Sequence, residues 1–126
     1  MRAGTRVGLT VIVAGLVLMV SAGQVPADGD GSAKRTACFS ETRTDLGADY
    51  VYLLKVRNLS CAKGENLVVK WHQCRKSNGG DDGNCGSVKG YSCDRRITEE
   101  SSTQINAKVT CTDGSKLFKH TYGQFV

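Results

Sequence analysis

Few groups in this chain could carry out acid–base chemistry. There are two histidines, His72 and His120. A histidine beside an arginine, with a carboxylate in reach, can serve acid–base or phosphate chemistry. The combination on offer is His120 with Arg95 and one of Glu65, Glu99 or Glu100. Small cationic secreted ribonucleases use such sets. The plainer expectation is that His120 is a half-buried histidine at a sheet edge and that the Arg95 stem covers apolar surface. His72 is expected at the polar edge of a helix, in solvent. No Gly-x-Ser-x-Gly, His-Glu-x-x-His or P-loop pattern occurs.

Six cysteines, Cys38, Cys61, Cys74, Cys85, Cys93 and Cys111, all lie downstream of an apolar leader. In an exported chain of this size they read as three disulfides rather than a thiol metal site. Paired cysteines leave no thiolate nucleophile. The Gly/Asp-rich stretch at 78–84 invites a calcium reading, which fails. Placing Gly83 at the sixth position of an EF-hand loop puts Gly80 where a ligand is needed and Lys89 at the twelfth position. No metal and no cofactor are expected, and the catalytic set is expected to be empty.

The leader has Arg2 and Arg6, then an apolar run from Val7 to Val20, then small residues at Val20-Ser21-Ala22 and Val25-Pro26-Ala27. That order describes a signal peptide over 1–27, and the run is short of the roughly 20 residues of a spanning helix. Its removal leaves 99 residues and lowers the net charge from +5 to +3. Residues 28–35 read as a polar, flexible linker and 36–126 as one small domain, which at this size needs covalent staples. The mild positive charge favours anionic surfaces such as cell-wall polymers. It lacks the dense basic patch of a nucleic-acid binder.

The elements that position these groups follow from periodicity. Residues 37–43 and Tyr50 to Arg57 read as strands around an Asp45–Asp49 turn. Ser60 reads as the N-cap of a helix reaching Arg75. Cys61, Gly64, Leu67, Val68, Trp71 and Cys74 share one face of that helix. Lys63, Glu65, Asn66, Lys70 and Gln73 lie outside it. Ser77–Gly86 is a loop. Val88 to Thr98, Ile105 to Cys111 and Lys116 to Tyr122 alternate as strands, with Asp113-Gly114 as a two-residue hairpin tip. A second hairpin around Ser102 sets Cys93 opposite Cys111, Arg95 opposite Val109 and Ile97 opposite Ala107. The tip sets Cys111 opposite Lys116 and Val109 opposite Phe118.

These registers place Tyr91, Cys93, Ile97, Ile105, Ala107, Val109, Cys111, Phe118 and Tyr122 on one face. Ser92, Asp94, Arg96, Asn106, Lys108, Thr110, Lys119 and Thr121 take the other. The apolar face needs a cover, and the helix supplies it. The expected fold is therefore α+β: one amphipathic helix on one face of a mainly antiparallel sheet of about 4–5 strands. Six cysteines allow fifteen pairings. Local geometry favours Cys74–Cys85 across the loop, Cys93–Cys111 across the hairpin, and by remainder Cys38–Cys61.

Several short segments occur in a telling order: Arg57-Asn58-Leu59-Ser60-Cys61-Ala62, Gly90-Tyr91-Ser92-Cys93, Val109-Thr110-Cys111 with Asp113-Gly114, and the aromatic strand Phe118 to Tyr122. This order resembles a large group of small secreted actinobacterial proteins of unknown function. The resemblance implies an exported α+β domain and supplies no catalytic residues. Asn58-Leu59-Ser60 is a formal glycosylation sequon, idle in a bacterial chain.

Three functions fit. The first is a secreted or envelope-associated, monomeric binding domain for a protein or an anionic wall polymer, without catalysis. The second is a small inhibitor of an extracellular enzyme that presents the Ser77–Gly86 loop. The third is a ribonuclease-like hydrolase using His120 and Arg95.

Overall fold

The computed structural model describes residues 34–126, so the signal-peptide reading and most of the linker reading lie outside the described residues. Six strands and one long helix follow: β1 (Thr36–Phe39), β2 (Tyr50–Arg57), α1 (Cys61–Ser77), β3 (Ser87–Val88), β4 (Tyr91–Glu100), β5 (Gln104–Asp113) and β6 (Lys116–Phe125). They form one antiparallel sheet in the order β1-β2-β6-β5-β4-β3, with α1 on one face. The α+β class with disulfide staples holds, but the sheet has six strands rather than four or five. The extra strand arises because Val88 to Thr98 is not continuous. Lys89 and Gly90 both take positive φ, +49° and +85°, the signature of a type I′ turn. That turn folds β3 back on β4, with Val88 opposite Tyr91.

Helix α1 begins where expected. The Ser60 hydroxyl accepts a hydrogen bond from Lys63 N at 3.2 Å, satisfying one of the free first-turn amides. Gly64 sits over β2 so closely that a Cβ there would lie 2.5 Å from Val56 Cγ1. Leu67, Val68 and Trp71 are buried, and the Trp71 indole N–H donates to Cys85 O at 2.8 Å.

His72 is a correction: it is fully buried, not solvated. It lies about 20° beyond the apolar stripe at 100° per residue. The Asp45–Asp49 turn covers that flank. Leu46 and Ala48 are buried there, and Gly47, at φ +95°, comes so near that a Cβ on it would meet His72 Cβ at 2.8 Å.

The β4–β5 register is as expected, with Cys93 opposite Cys111, Arg95 opposite Val109 and Ile97 opposite Ala107, before a bulge near Thr98. The β5–β6 register differs by two residues. Asp113 pairs with Lys116, Cys111 with Phe118 and Val109 with His120. The tip is Gly114-Ser115, with Gly114 at φ +57°, a glycine at the first loop position as in a type II′ turn. Strand side chains alternate with period two, so a slip of two leaves every face unchanged. Ile97 is the exception to the apolar face; it is 37% exposed at the far end of β4, beyond the reach of α1.

Disulfides join Cys38–Cys61, Cys74–Cys85 and Cys93–Cys111, with Cα separations of 5.4, 5.7 and 4.1 Å. They tie β1 to the start of α1, the end of α1 to the loop after it, and β4 to β5. No helix among the described residues is long and apolar enough to cross a membrane.

Candidate functional site

His120 does not stand at a sheet edge. Strand β6 is internal, and His120 is 0% exposed, packed under α1 among Trp71, Phe118 and Tyr122. Its polar partner is His72, with 3.1 Å between the two Nε2 atoms. Arg75, also fully buried, donates from Nε to His72 Nδ1 at 2.7 Å. An arginine N–H can only donate, so His72 Nδ1 is bare and its proton sits on Nε2. That proton points to His120 Nε2, which must accept. His120 therefore carries its own proton on Nδ1, which has no hydrogen-bond partner and faces aromatic rings.

Both imidazoles are held neutral. Burial pushes His120 down to about 3, and the Arg75 charge adds to this. Burial, then the neighbouring His120, Arg75 and Lys76, push His72 well below its ordinary value. Arg75 spends its other donors on Asp81 O at 2.7 Å and Gln124 Oε1 at 2.6 Å, and Gln124 passes the link to Asp49 Oδ2 at 2.6 Å. The Arg75 guanidinium also lies 5.1 Å from the Tyr122 ring centroid. The network pins the helix, β6, the Asp49 turn and the Gly80–Asp82 turn together. Its core of His72, Arg75 and His120 is closed to solvent.

The other members of the expected acid–base set are elsewhere. Arg95 reaches across to the loop after α1, donating to Gly83 O at 2.6 Å and Asp82 O at 3.3 Å. Glu65 pairs with Arg43 at 3.1 Å, and Glu99 accepts from Asn106 Nδ2 at 2.8 Å. Glu100 is exposed. None of these carboxylates is bonded to His120. Among the described residues no group of three His, Cys, Asp or Glu side chains is placed to hold a metal. The Ser77–Gly86 loop is anchored to Arg75 and Arg95 through the carbonyls of Asp81, Asp82 and Gly83; Gly83 and Cys85 are buried and its other residues are exposed.

The face of the sheet opposite α1 has a different character. Across neighbouring strands, Lys55 pairs with Lys119, and Lys108 pairs with Arg96. These residues lie on β2, β6, β5 and β4, one cation on each of four consecutive strands. The chain neighbours of the three lysines, Leu54, Val56, Phe118, His120, Ala107 and Val109, are buried, which points the lysines outward, and Arg96 shares the face of Lys108 opposite it. With about 4.8 Å between strands, the stripe crosses about 14 Å of sheet, its two pairs offset by two residues along the strands. Thr110 and Thr121 fill the remaining positions of its two rows, and Asp94 closes one end. Like charges placed directly opposite destabilise a sheet by roughly 0.2–1 kcal/mol a pair. The fold tolerates two such pairs side by side.

An aromatic corner adjoins the stripe. Tyr50 and Tyr52 lie 6.1 Å apart and nearly parallel, and Phe125 meets Tyr50 edge-on at 5.7 Å. Tyr52 and Phe125 are 38% and 50% exposed. Gly123 makes this possible, since a Cβ there would lie 2.6 Å from the Tyr52 hydroxyl and 2.7 Å from Asn106 Oδ1. The polar-face pattern was visible in the sequence. The alignment of its cations was not, because it depends on β2 pairing with β6. Comparisons with protein-family models, curated proteins and solved structures return no match.

Proposed function

We propose that this protein is a non-catalytic binding domain, exported or held at the cell envelope, whose partner is an anionic polymer. The observation that carries the reading is the two offset pairs Lys55–Lys119 and Lys108–Arg96, which put one of these cations on each of four neighbouring strands of a single sheet face. A flat face with opposed like charges is strained by its own field, and a polyanion laid across the strands relieves that field while releasing its counterions. The exposed Tyr52 and Phe125 rings beside the stripe suit the apolar faces of sugar rings, which favours a charged glycopolymer. Three disulfides suit an oxidising compartment. The hydrolase reading needs His120 in a solvent-filled cleft, and its burial supplies none. No comparable charge or aromatic pattern favours the inhibitor reading: the exposed part of the Ser77–Gly86 loop is Ser, Asn, Gly and Asp, without an aromatic at its tip.

The test is binding to an immobilised uronate polysaccharide and to polyphosphate, with neutral dextran and duplex DNA as controls. The wild-type domain is expected to bind the charged polymers with affinity that falls steeply with salt. Replacing Lys55, Lys119 and Lys108 by Ser and Arg96 by Thr together is expected to lower affinity more than tenfold and flatten the salt dependence, with no loss of thermal stability. Equal binding by wild type and variant, or a preference for dextran, refutes the reading.

A further inference from the structure

A second cationic site lies on the other side of the molecule. Lys63, Asn66, Leu67 and Lys70 recur at the spacing that places them along one edge of α1. The β3–β4 turn brings Lys89 against that edge, and the β5–β6 hairpin tip brings Asp113 and Lys116. Together they line a cleft of about 450 Å³, floored by Leu67 and Tyr91. Among the described residues the ion pairs are those of Arg43 with Asp45 and Glu65. None of the four cleft lysines is paired.

The floor carries an independent signal. Tyr91 is only 4% exposed, and its hydroxyl is buried without a hydrogen-bond partner. An unmade hydrogen bond at a buried group is costly, and native structures rarely leave one unexplained. The ring itself is well packed, edge-on to Phe118 at 5.2 Å, so a phenylalanine would serve the core as well. Burial, with Asp113 adding to it, raises the pKa of the phenol. It keeps its proton and can donate it to an oxygen brought from outside. Lysine side chains are long and mobile enough to open that path.

We propose that this cleft binds a small phosphomonoester, held by the ammonium groups of Lys63, Lys70, Lys89 and Lys116 and by the Tyr91 hydroxyl. Four cations against one carboxylate leave a surplus of three positive charges, most of which a group of charge near −2 neutralises. The lining holds lysines and no arginine. Lysine serves phosphate as a point charge, whereas a planar carboxylate is best met by the arginine fork. The cleft lies at the small end of the roughly 300–1,000 Å³ range of ligand pockets, enough for a phosphate on a short polar carrier. Asp113 is placed to accept a hydroxyl of that carrier. This site shares no residue with the cationic sheet face and stands whether or not that face binds polymer.

Titration of the full domain with glycerol phosphate, followed by calorimetry and by amide NMR shifts, tests the site. Inorganic phosphate, tricarballylate and glycerol are the comparison probes. Saturable binding of glycerol phosphate is expected, with shifts gathered at Lys63–Lys70, Lys89–Tyr91 and Asp113–Lys116. Tyr91→Phe is expected to weaken it about tenfold while leaving the melting temperature unchanged or higher, since it removes only an unpaired buried hydroxyl. Lys70→Gln with Lys116→Gln is expected to abolish it, and the sheet-face variant to leave it intact. No saturable binding, shifts confined to the open sheet face, tricarballylate binding as tightly as glycerol phosphate, or undiminished binding by Tyr91→Phe each overturns the proposal.

Discussion

Lowering the pH from 7.5 to 4.5 is expected to remove about 5 kcal/mol of stability, through two imidazoles. His72 and His120 are the chain's two histidines, so every histidine proton taken up on unfolding belongs to this pair. Unfolded, each titrates near 6.5. Folded, His120 is held down to about 3 and His72 well below its ordinary value, by burial and nearby cations. Between those limits the unfolded chain binds two more protons than the native one, so stability falls as pH falls. At pH 4.5 the unfolded imidazoles lie about two pH units below their pKa, or about 2.7 kcal/mol each. Domains have roughly 5–15 kcal/mol in all, so the loss is large.

The Asp45 carboxyl, held below its usual range by Arg43, loses its contribution only near and below pH 4, outside this window. Urea unfolding at fixed steps from pH 7.5 to 4.5, with disulfides intact, gives the slope. Below pH 6 it is expected to approach about 2.7 kcal/mol per pH unit, the value for two protons. The double variant His72→Gln, His120→Gln is expected to be less stable at neutral pH and to lose most of the slope. A wild-type slope corresponding to less than one proton would refute the neutral, solvent-free histidine pair.

Further outcomes follow from packing and chain entropy. Gly64→Ala, which on helix propensity alone gains about 1 kcal/mol, is expected to lower stability by about 1–2 kcal/mol, because its Cβ meets Val56 Cγ1 at 2.5 Å. Thermal melts check it, and Val56→Ala in the same chain is expected to recover part of the loss. Replacing Cys74 and Cys85 by Ser is expected to cost about 3 kcal/mol and to loosen the Trp71 indole bond to Cys85 O, visible as a red shift of tryptophan fluorescence. N-terminal sequencing of exported material is expected to begin between residues 23 and 28, at one of the two small-x-small sites; an intact Met1 in the medium would contradict it.

Local order was legible from residue types alone. The Ser60 cap, the Leu67-Val68-Trp71 face and the alternation along β5 and β6 are set by neighbours a few positions apart, and the face of each strand residue survives even a two-residue slip at the Gly114-Ser115 tip. So was the division of the sheet into an apolar and a polar side. What required the assembled molecule was which polar and charged side chains from distant segments meet. The burial of His72 depends on a turn more than twenty residues away closing over the helix flank. The cation stripe exists because β6 returns beside β2, setting Lys55 against Lys119 next to the Lys108–Arg96 pair. The lysine cleft needs two turns, at Lys89 and Lys116, to meet a helix edge at Lys63 and Lys70. Periodicity reports which way a side chain faces within its own element. Which charges then become neighbours is decided by strand order and loop closure, and these arise only when the helix and sheet bury their shared core.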